Sequence, residues 1–394
     1  MKKNFFALAI LSAIAIGAQA QSTVVVYGVL DVNAVYTNKA LLPGTTTGAT
    51  GSKTTVDSGD VSGSRLGFKG TEDLGGGLKA LFQLETGFKV DTGALDGSNN
   101  GVANSSTLFR RLSVVGISGN FGSILLGRQT DLAYQYSQWT SVADFGGITS
   151  AVGHGLDRTE GARTNNSIRY DSPNFAGFTG SAIYGLGEVA GQNSAGQALG
   201  VGGQYVMGPL GLFAGYYQSK LGAAATDISS DTSTLIPGNG KAGDIALKVI
   251  NLGASFQTGS ARLYGNWSQV KQPLALFAAI PNNGILPTGY TVGGANNNKA
   301  NIYELGLNYP LSGSLDLLAS VQYSVLGYTG NALPTGKLIQ LNLGTRYFLS
   351  KRTDLYAVVS NQSAKNTYAP GVVSSAAGLD NNQTFATIGI RHRF

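Results

Sequence analysis

Apolar and polar residues alternate along most of this chain with a period of two. From Leu315 to Val325 one parity reads Leu, Leu, Ala, Val, Tyr, Val and the other Asp, Leu, Ser, Gln, Ser. Leu78, Ala80, Phe82 and Leu84 alternate with Lys79, Leu81, Gln83 and Glu85, and Arg65 and Lys69 stand on the parity opposite Leu66 and Phe68. Period two with one apolar and one polar side predicts strands whose two faces meet different surroundings. Segments of about ten such residues, separated by turn chemistry, are the pattern of a transmembrane barrel.

The connections between these segments alternate in length. Seven short ones, near 71–77, 118–122, 172–177, 206–211, 257–260, 309–314 and 349–354, are marked by Gly, Pro, Asn and Asp. Eight longer, polar ones lie near 37–60, 89–106, 130–164, 186–199, 219–244, 270–300, 327–336 and 363–382. Fifteen connections join sixteen strands, with both ends of the mature chain on the short-turn side. All ten prolines fall in connections, which leaves every strand N–H free to donate. An open sheet edge in hydrocarbon would leave those groups unmet, so the sheet must close. The expected fold is all-β: a sixteen-stranded antiparallel transmembrane β-barrel. Tyr27, Phe88, Tyr170, Tyr184 and Tyr347, near strand ends, suit aromatic girdles at the membrane interfaces.

The N-terminus is different. Met1-Lys2-Lys3 is a basic head, Phe5 to Ile16 an apolar run, and Ala18-Gln19-Ala20 a small-x-small cleavage site. Residues 1–20 thus read as a secretory signal peptide, too short in its apolar part for the ~20 residues a spanning helix needs. One barrel domain, residues 21–394, follows.

Composition narrows the chemistry. Of 394 residues only 12% are charged and 57 are glycine, against about 25% and 7% in soluble domains. Cysteine is absent and there are two histidines, His154 and His392. Disulfides, thiolate chemistry and histidine-rich metal centres are excluded, and no metal site or cofactor is expected. The net charge of +6 forms no basic run, so nucleic acid is not an expected partner. Catalysis has no support. Neither histidine sits beside a nucleophile pattern, Ser268-x-x-Lys271 lacks companion motifs, and Gly238-Asn239-Gly240-Lys241-Ala242-Gly243 lacks a strand-to-helix setting.

Several stretches resemble the general porins of Gram-negative bacteria, especially their betaproteobacterial branch. They are Tyr27-Gly28-Val29-Leu30-Asp31, the run from Ser64 to Ala80, Gly116-Ile117-Ser118-Gly119 with Phe121-Gly122, Leu126-Gly127-Arg128-Gln129, Leu349 to Tyr356, and Arg391-His392-Arg393-Phe394. The resemblance implies an outer-membrane homotrimer passing small hydrophilic solutes and inorganic ions through the lipid bilayer. It also implies a C-terminal Phe394 read by the barrel-assembly machinery during insertion.

The resemblance further implies that the third long connection, about 130–164, folds into the lumen. That segment carries Asp131, Asp144, Asp157, Arg158, Glu160 and Arg163, and Asp144-Phe145-Gly146-Gly147 is similar to the family's acidic loop tip, without a proline before the acid. Facing it, the family places wall arginines. Arg65 and Arg169 fit by parity; of the adjacent Arg110 and Arg111 one must point each way, which parity leaves open and the family pattern at Phe109 to Val115 gives to Arg111; Lys69 and Arg128 are further candidates. Unlike charges across a narrow gap would select ions and orient dipolar solutes, and the wall cations predict a modest anion preference. A channel specific for one small anion or sugar would share this fold and differ only in lumen side chains. A plugged, adhesive barrel is disfavoured, because sixteen strands leave an aqueous lumen.

Overall fold

The computed structural model describes residues 23–42, 50–95, 108–137, 163–188, 190–191, 196–220, 246–273, 297–327, 335–365 and 382–394. Among them seventeen strand segments form one closed antiparallel sheet. The first half comprises β1 (Thr23–Leu41), β2 (Thr50–Ser58), β3 (Arg65–Gly75), β4 (Leu78–Gly87), β5 (Leu112–Gly119), β6 (Gly122–Thr130), β7 (Arg163–Asp171), β8 (Phe178–Gly185) and β9 (Ala198–Met207). The second half comprises β10 (Leu210–Lys220), β11 (Ala246–Thr258), β12 (Ala261–Pro273), β13 (Asn297–Pro310) and β14 (Leu315–Gly327). It ends with β15 (Gly336–Phe348), β16 (Thr353–Lys365) and β17 (Asn382–Arg393). A single turn-and-a-half helix, α1 (Leu132–Ser137), follows β6.

Seventeen segments make sixteen staves. β2 and β3 both run antiparallel along β1, β2 beside residues 32–41 and β3 beside residues 23–29. They are one stave interrupted at residues 59–64. Closure comes from β1 with β17, in register from Val29↔Arg393 to Thr37↔Phe385. Gly28 and Phe394 continue that ladder by exchanging two backbone hydrogen bonds of 3.0 and 3.1 Å.

The sheet is inverted relative to a soluble protein. On β14 the polar parity, Asp316, Ser320, Gln322 and Ser324, is buried, whereas Val321 on the other parity is exposed. Leu305 and Ile388 are 66% and 68% exposed, a cost in water that hydrocarbon removes. Inside, amides tie the staves together. Gln362 donates to Gln340, Gln340 to Asn342, and Asn342 to Ser320, at 2.9–3.0 Å. No described helix is long and apolar enough to cross a membrane; the strands do so.

All seven short connections stand where the turn residues put them. The first long one does not. Strand reaches Leu41 and resumes at Thr50, which the sequence hides because Thr50–Ser58 is polar on both faces apart from Val56. Pro273 and Pro310 close strands β12 and β13 instead of lying beyond them. The signal segment 1–20 lies outside the described residues.

Candidate pore constriction

The lumen wall on β3–β5 gathers cations around one acid. Glu85 on β4 is 6% exposed. It accepts from Arg111 Nε at 2.6 Å and lies 3.7 Å from Arg65 Nε. Tyr27 donates its hydroxyl to the same carboxylate at 3.0 Å and accepts from Gln83, and Lys69 stands 5.3 Å over the Tyr27 ring. Tyr27 is therefore a lumen residue and not part of a girdle. Its parity on β1 is that of Asp31 and Asn33, both buried. Phe88 bridges Leu95 just beyond β4, whereas Tyr170, Tyr184 and Tyr347 point outward, 37–47% exposed.

Arg65, Lys69 and Arg111 carry three positive charges against the one of Glu85, a net of +2 on this wall. The side chains of Arg65 and Arg111 are 26% and 19% exposed. Asp60, in the break between β2 and β3, accepts from Asn33 at 2.7 Å.

The other wall candidates are placed differently. Arg169 forks onto Asp171 of its own strand at 2.7–3.0 Å, and Ser181 donates to the same oxygen at 2.6 Å. This pair is neutral and sits beside a short turn. Arg128 departs from the expectation. It pairs in register with Ser113, on the parity of the outward Val115, and donates to the Arg110 carbonyl and to Asn165. Leu126, two residues earlier on the same strand face, is 47% exposed, so the alternation along β6 itself turns Arg128 outward.

The third connection begins by turning inward. Asp131 is buried and accepts the Tyr134 N–H at 2.8 Å. It is the N-cap of α1, a structural role in place of the expected acid facing the gap. From there Leu132 and Tyr136, 0% and 2% exposed, pack on Ile183 of β8 and Phe213 of β10, inward residues of the wall. The Tyr136 and Phe213 rings stack at 6.4 Å, and Asn251 of β11 donates to the Ala133 carbonyl at 2.8 Å. Gly202 and Gly215 form the seat: a Cβ at 202 would overlap the Tyr136 ring, and one at 215 would stand 3.1 Å from it. Burial raises the Tyr136 phenol, which stays neutral. At the far end of the connection Arg163, 4% exposed, donates to the Arg111 carbonyl at 2.9 Å and lies 5.3 Å over Tyr134. Asp144, Asp157 and Glu160 lie outside the described residues.

The opposite arc, β12–β17 with β1, is also charged. Arg391 (1% exposed) and Arg393 bind Asp354 (0%) at 3.1 and 2.8 Å. Arg346 binds Asp316 at 2.6 Å. Tyr356 and the Ser62 N–H donate to Asp31, and Tyr264, Asn266 and Gln322 donate to Glu304 at 3.0–3.1 Å. With Arg262 over Tyr264, four cations balance four carboxylates. Sequence reasoning missed Glu85, Asp171 and this whole arc. The signal was available, because each of these acids lies on the polar parity of its strand.

A model of Gram-negative porins matches residues 7–367. Outer membrane porin protein 32 of Delftia acidovorans is 34% identical over 411 aligned positions, covering 100% of both chains. An outer membrane porin of Bordetella pertussis is 30% identical over 423, again covering 100% of both. Among solved structures, an anion-selective porin from Comamonas acidovorans superposes with a TM-score of 0.66 at 31% identity, covering 95% of this chain and 100% of that one. The trimer form of in-vitro folded OmpT of Vibrio cholerae superposes at 0.62 with 16% identity, over 95% and 99% of the chains; it speaks for the fold alone.

Proposed function

Because the chain belongs to the Gram-negative porin family, we propose that it is an outer-membrane diffusion pore with a modest anion preference set by Arg65 and Arg111. The protein is an outer-membrane channel and not an enzyme. Its finer properties are the subject of the proposal.

The observation that carries the anion preference is the shared carboxylate. Two guanidinium groups and Lys69 face one acid, so net positive charge borders the aqueous path. A low-dielectric wall focuses that field on a passing ion, and salt at 0.15 M screens it over about 8 Å. Packing of α1 on the inward face of β8–β11 supports a third connection that narrows the lumen. Within it Asp144, Asp157 and Glu160 are the proposed acidic side of the gap. Arg163, which clasps the Arg111 carbonyl, is the proposed anchor between that loop and the arginine wall. Arg169 and Lys69 flank the path as a neutral pair and a half-free cation. The related anion-selective porin supports the same sign.

Residues 1–20 act as the export signal, and Phe394, whose ring lies over Gly28, as the insertion signal read by the assembly machinery. The assembled form is a homotrimer. Purified protein refolded into a planar bilayer tests this reading. Stepwise openings that close in threes are expected, with small solutes such as chloride and small sugars passing without saturation. Correctly folded protein that inserts and carries no current would overturn it.

A further inference from the structure

The break in the second stave holds more chain than the sheet can take. Ser58 pairs with Val32 and Arg65 with Val29, so the six residues 59–64 stand against two, Leu30 and Asp31. A bulge adds one residue to one strand; this insert must leave the sheet surface. Outside lies hydrocarbon, where its peptide groups would find no partners. Val61, 5% exposed, marks the direction taken. It belongs to one apolar cluster with Val35 of β1, Tyr356 and Val358 of β16 and Phe385 of β17, all of them buried on the inward parity.

Asp31 ties the insert down with its N–H, its carbonyl and its carboxylate. The N–H donates to the Ser64 hydroxyl at 3.0 Å, and the carbonyl accepts from the Gly59 N–H and the Ser64 hydroxyl at 3.0 and 3.1 Å. The carboxylate accepts the Ser62 N–H at 2.7 Å. These bonds meet backbone groups that the interrupted ladder leaves over. Ser58, where the insert begins, also accepts the Val90 N–H on its hydroxyl at 2.8 Å. The far side of the insert meets the cations of β3–β5. Arg65 donates to the Gly63 carbonyl at 3.1 Å, and a Cβ at Gly63 would stand 3.0 Å from Arg111 Nη1.

We propose that residues 59–64 are a second inward element of the constriction, one that positions the Arg65 and Arg111 guanidinium groups on which the anion preference depends. The proposal rests on the pore reading above and adds the groups that hold its filter. Gly63 is the positioning residue: its carbonyl fixes one guanidinium, and its missing side chain leaves room for the other. Guanidinium groups already held in place lose no side-chain freedom when an anion passes. Helix α1 seats on β8–β11 and the insert on β1, β16 and β17, so inward chain enters the lumen from two sides. Arg111 touches both, through Gly63 here and through Arg163 at the end of the third connection.

The test is made on refolded protein in planar bilayers under a KCl gradient. The φ of Gly63 is not left-handed, so a side chain there acts on Arg111 without straining the backbone. Gly63→Val is expected to lower the chloride-to-potassium permeability ratio by up to about fivefold, the effect of one unit charge displaced from 4 Å in water. Gly63→Ala should fall between it and wild type, and both should keep the wild-type heat stability on electrophoresis. In an Arg111→Ser background Gly63→Val should change the ratio no further, which a general loosening of the barrel would not reproduce. An unchanged ratio in a conducting Gly63→Val channel, or in Gly63→Ala should the valine variant not fold, would overturn the proposal. So would an equal fall with and without Arg111. A wild type lacking anion preference would overturn the reading beneath it as well, which separates the two failures.

Discussion

Two arcs of one lumen wall use the same residue types to opposite ends. On β3–β5 two arginines share Glu85 with Lys69 close by, and the two arginine side chains keep a fifth to a quarter of their surface open. On β12–β17 with β1 the four named arginines equal the four named carboxylates in number, and Arg391 and Asp354 are sealed at 1% and 0% exposure. An uneven count leaves charge for solutes; an even one spends it on the fold. The sealed arc also lies at the seam, since Asp31 and Arg391 pair in register across the β1–β17 closure.

If the sealed arc is structural, breaking it should have the largest effect. Asp354→Ala leaves Arg391 buried with its acid removed, a loss of about 3–5 kcal/mol. The variant should refold in markedly lower yield and lose its compact electrophoretic form at lower temperature, while whatever fraction folds keeps wild-type selectivity. A selectivity change with unaltered stability would erase the distinction between the arcs.

Next is the inward helix. Gly202→Val pushes a side chain into the Tyr136 ring, and overpacking of this kind costs about 1–3 kcal/mol, enough to unseat α1 and not the barrel. Single-channel conductance should rise if the third connection narrows the path, and stay constant if it does not.

Glu85→Gln sharpens the open arc. It removes the single acid among Arg65, Lys69 and Arg111, taking their net charge from +2 to +3. A unit charge at 4 Å contributes about 1 kcal/mol in water, so the chloride-to-potassium permeability ratio should rise by roughly fivefold at low salt and less at high salt. The smallest effect belongs to Asp60, in the break of the stave. Asp60→Asn removes a further carboxylate from the wall, and the reversal potential should move slightly further to the anion-selective side.

Much of this was legible because a barrel writes its geometry into parity. Leu315 to Val325 reads as one strand with a wet and a greasy side, and Gly75-Gly76-Gly77 reads as a turn; both stand so in the structure. Parity fails where the ladder slips. The break at residues 59–64 hides β2 inside what looks like a loop. Parity also reports a facing direction without a partner. Arg169 and Arg65 look equivalent in sequence, yet Asp171 two residues on closes the first and Glu85 on the next strand is divided between the second and Arg111. Asp131 looked like a loop acid because its capping role depends on where α1 begins, a tertiary fact set by the glycine seat on β9 and β10.

The central claim is that the unevenly charged arc sets selectivity. Its most direct test is the reversal potential of single channels under a KCl gradient, measured for the wild type and for Arg65→Ser/Arg111→Ser side by side. The account predicts a wild-type potential of anion-selective sign that moves toward or past zero to the cation-selective side in the variant. A folded, conducting variant with an unchanged reversal potential would contradict it.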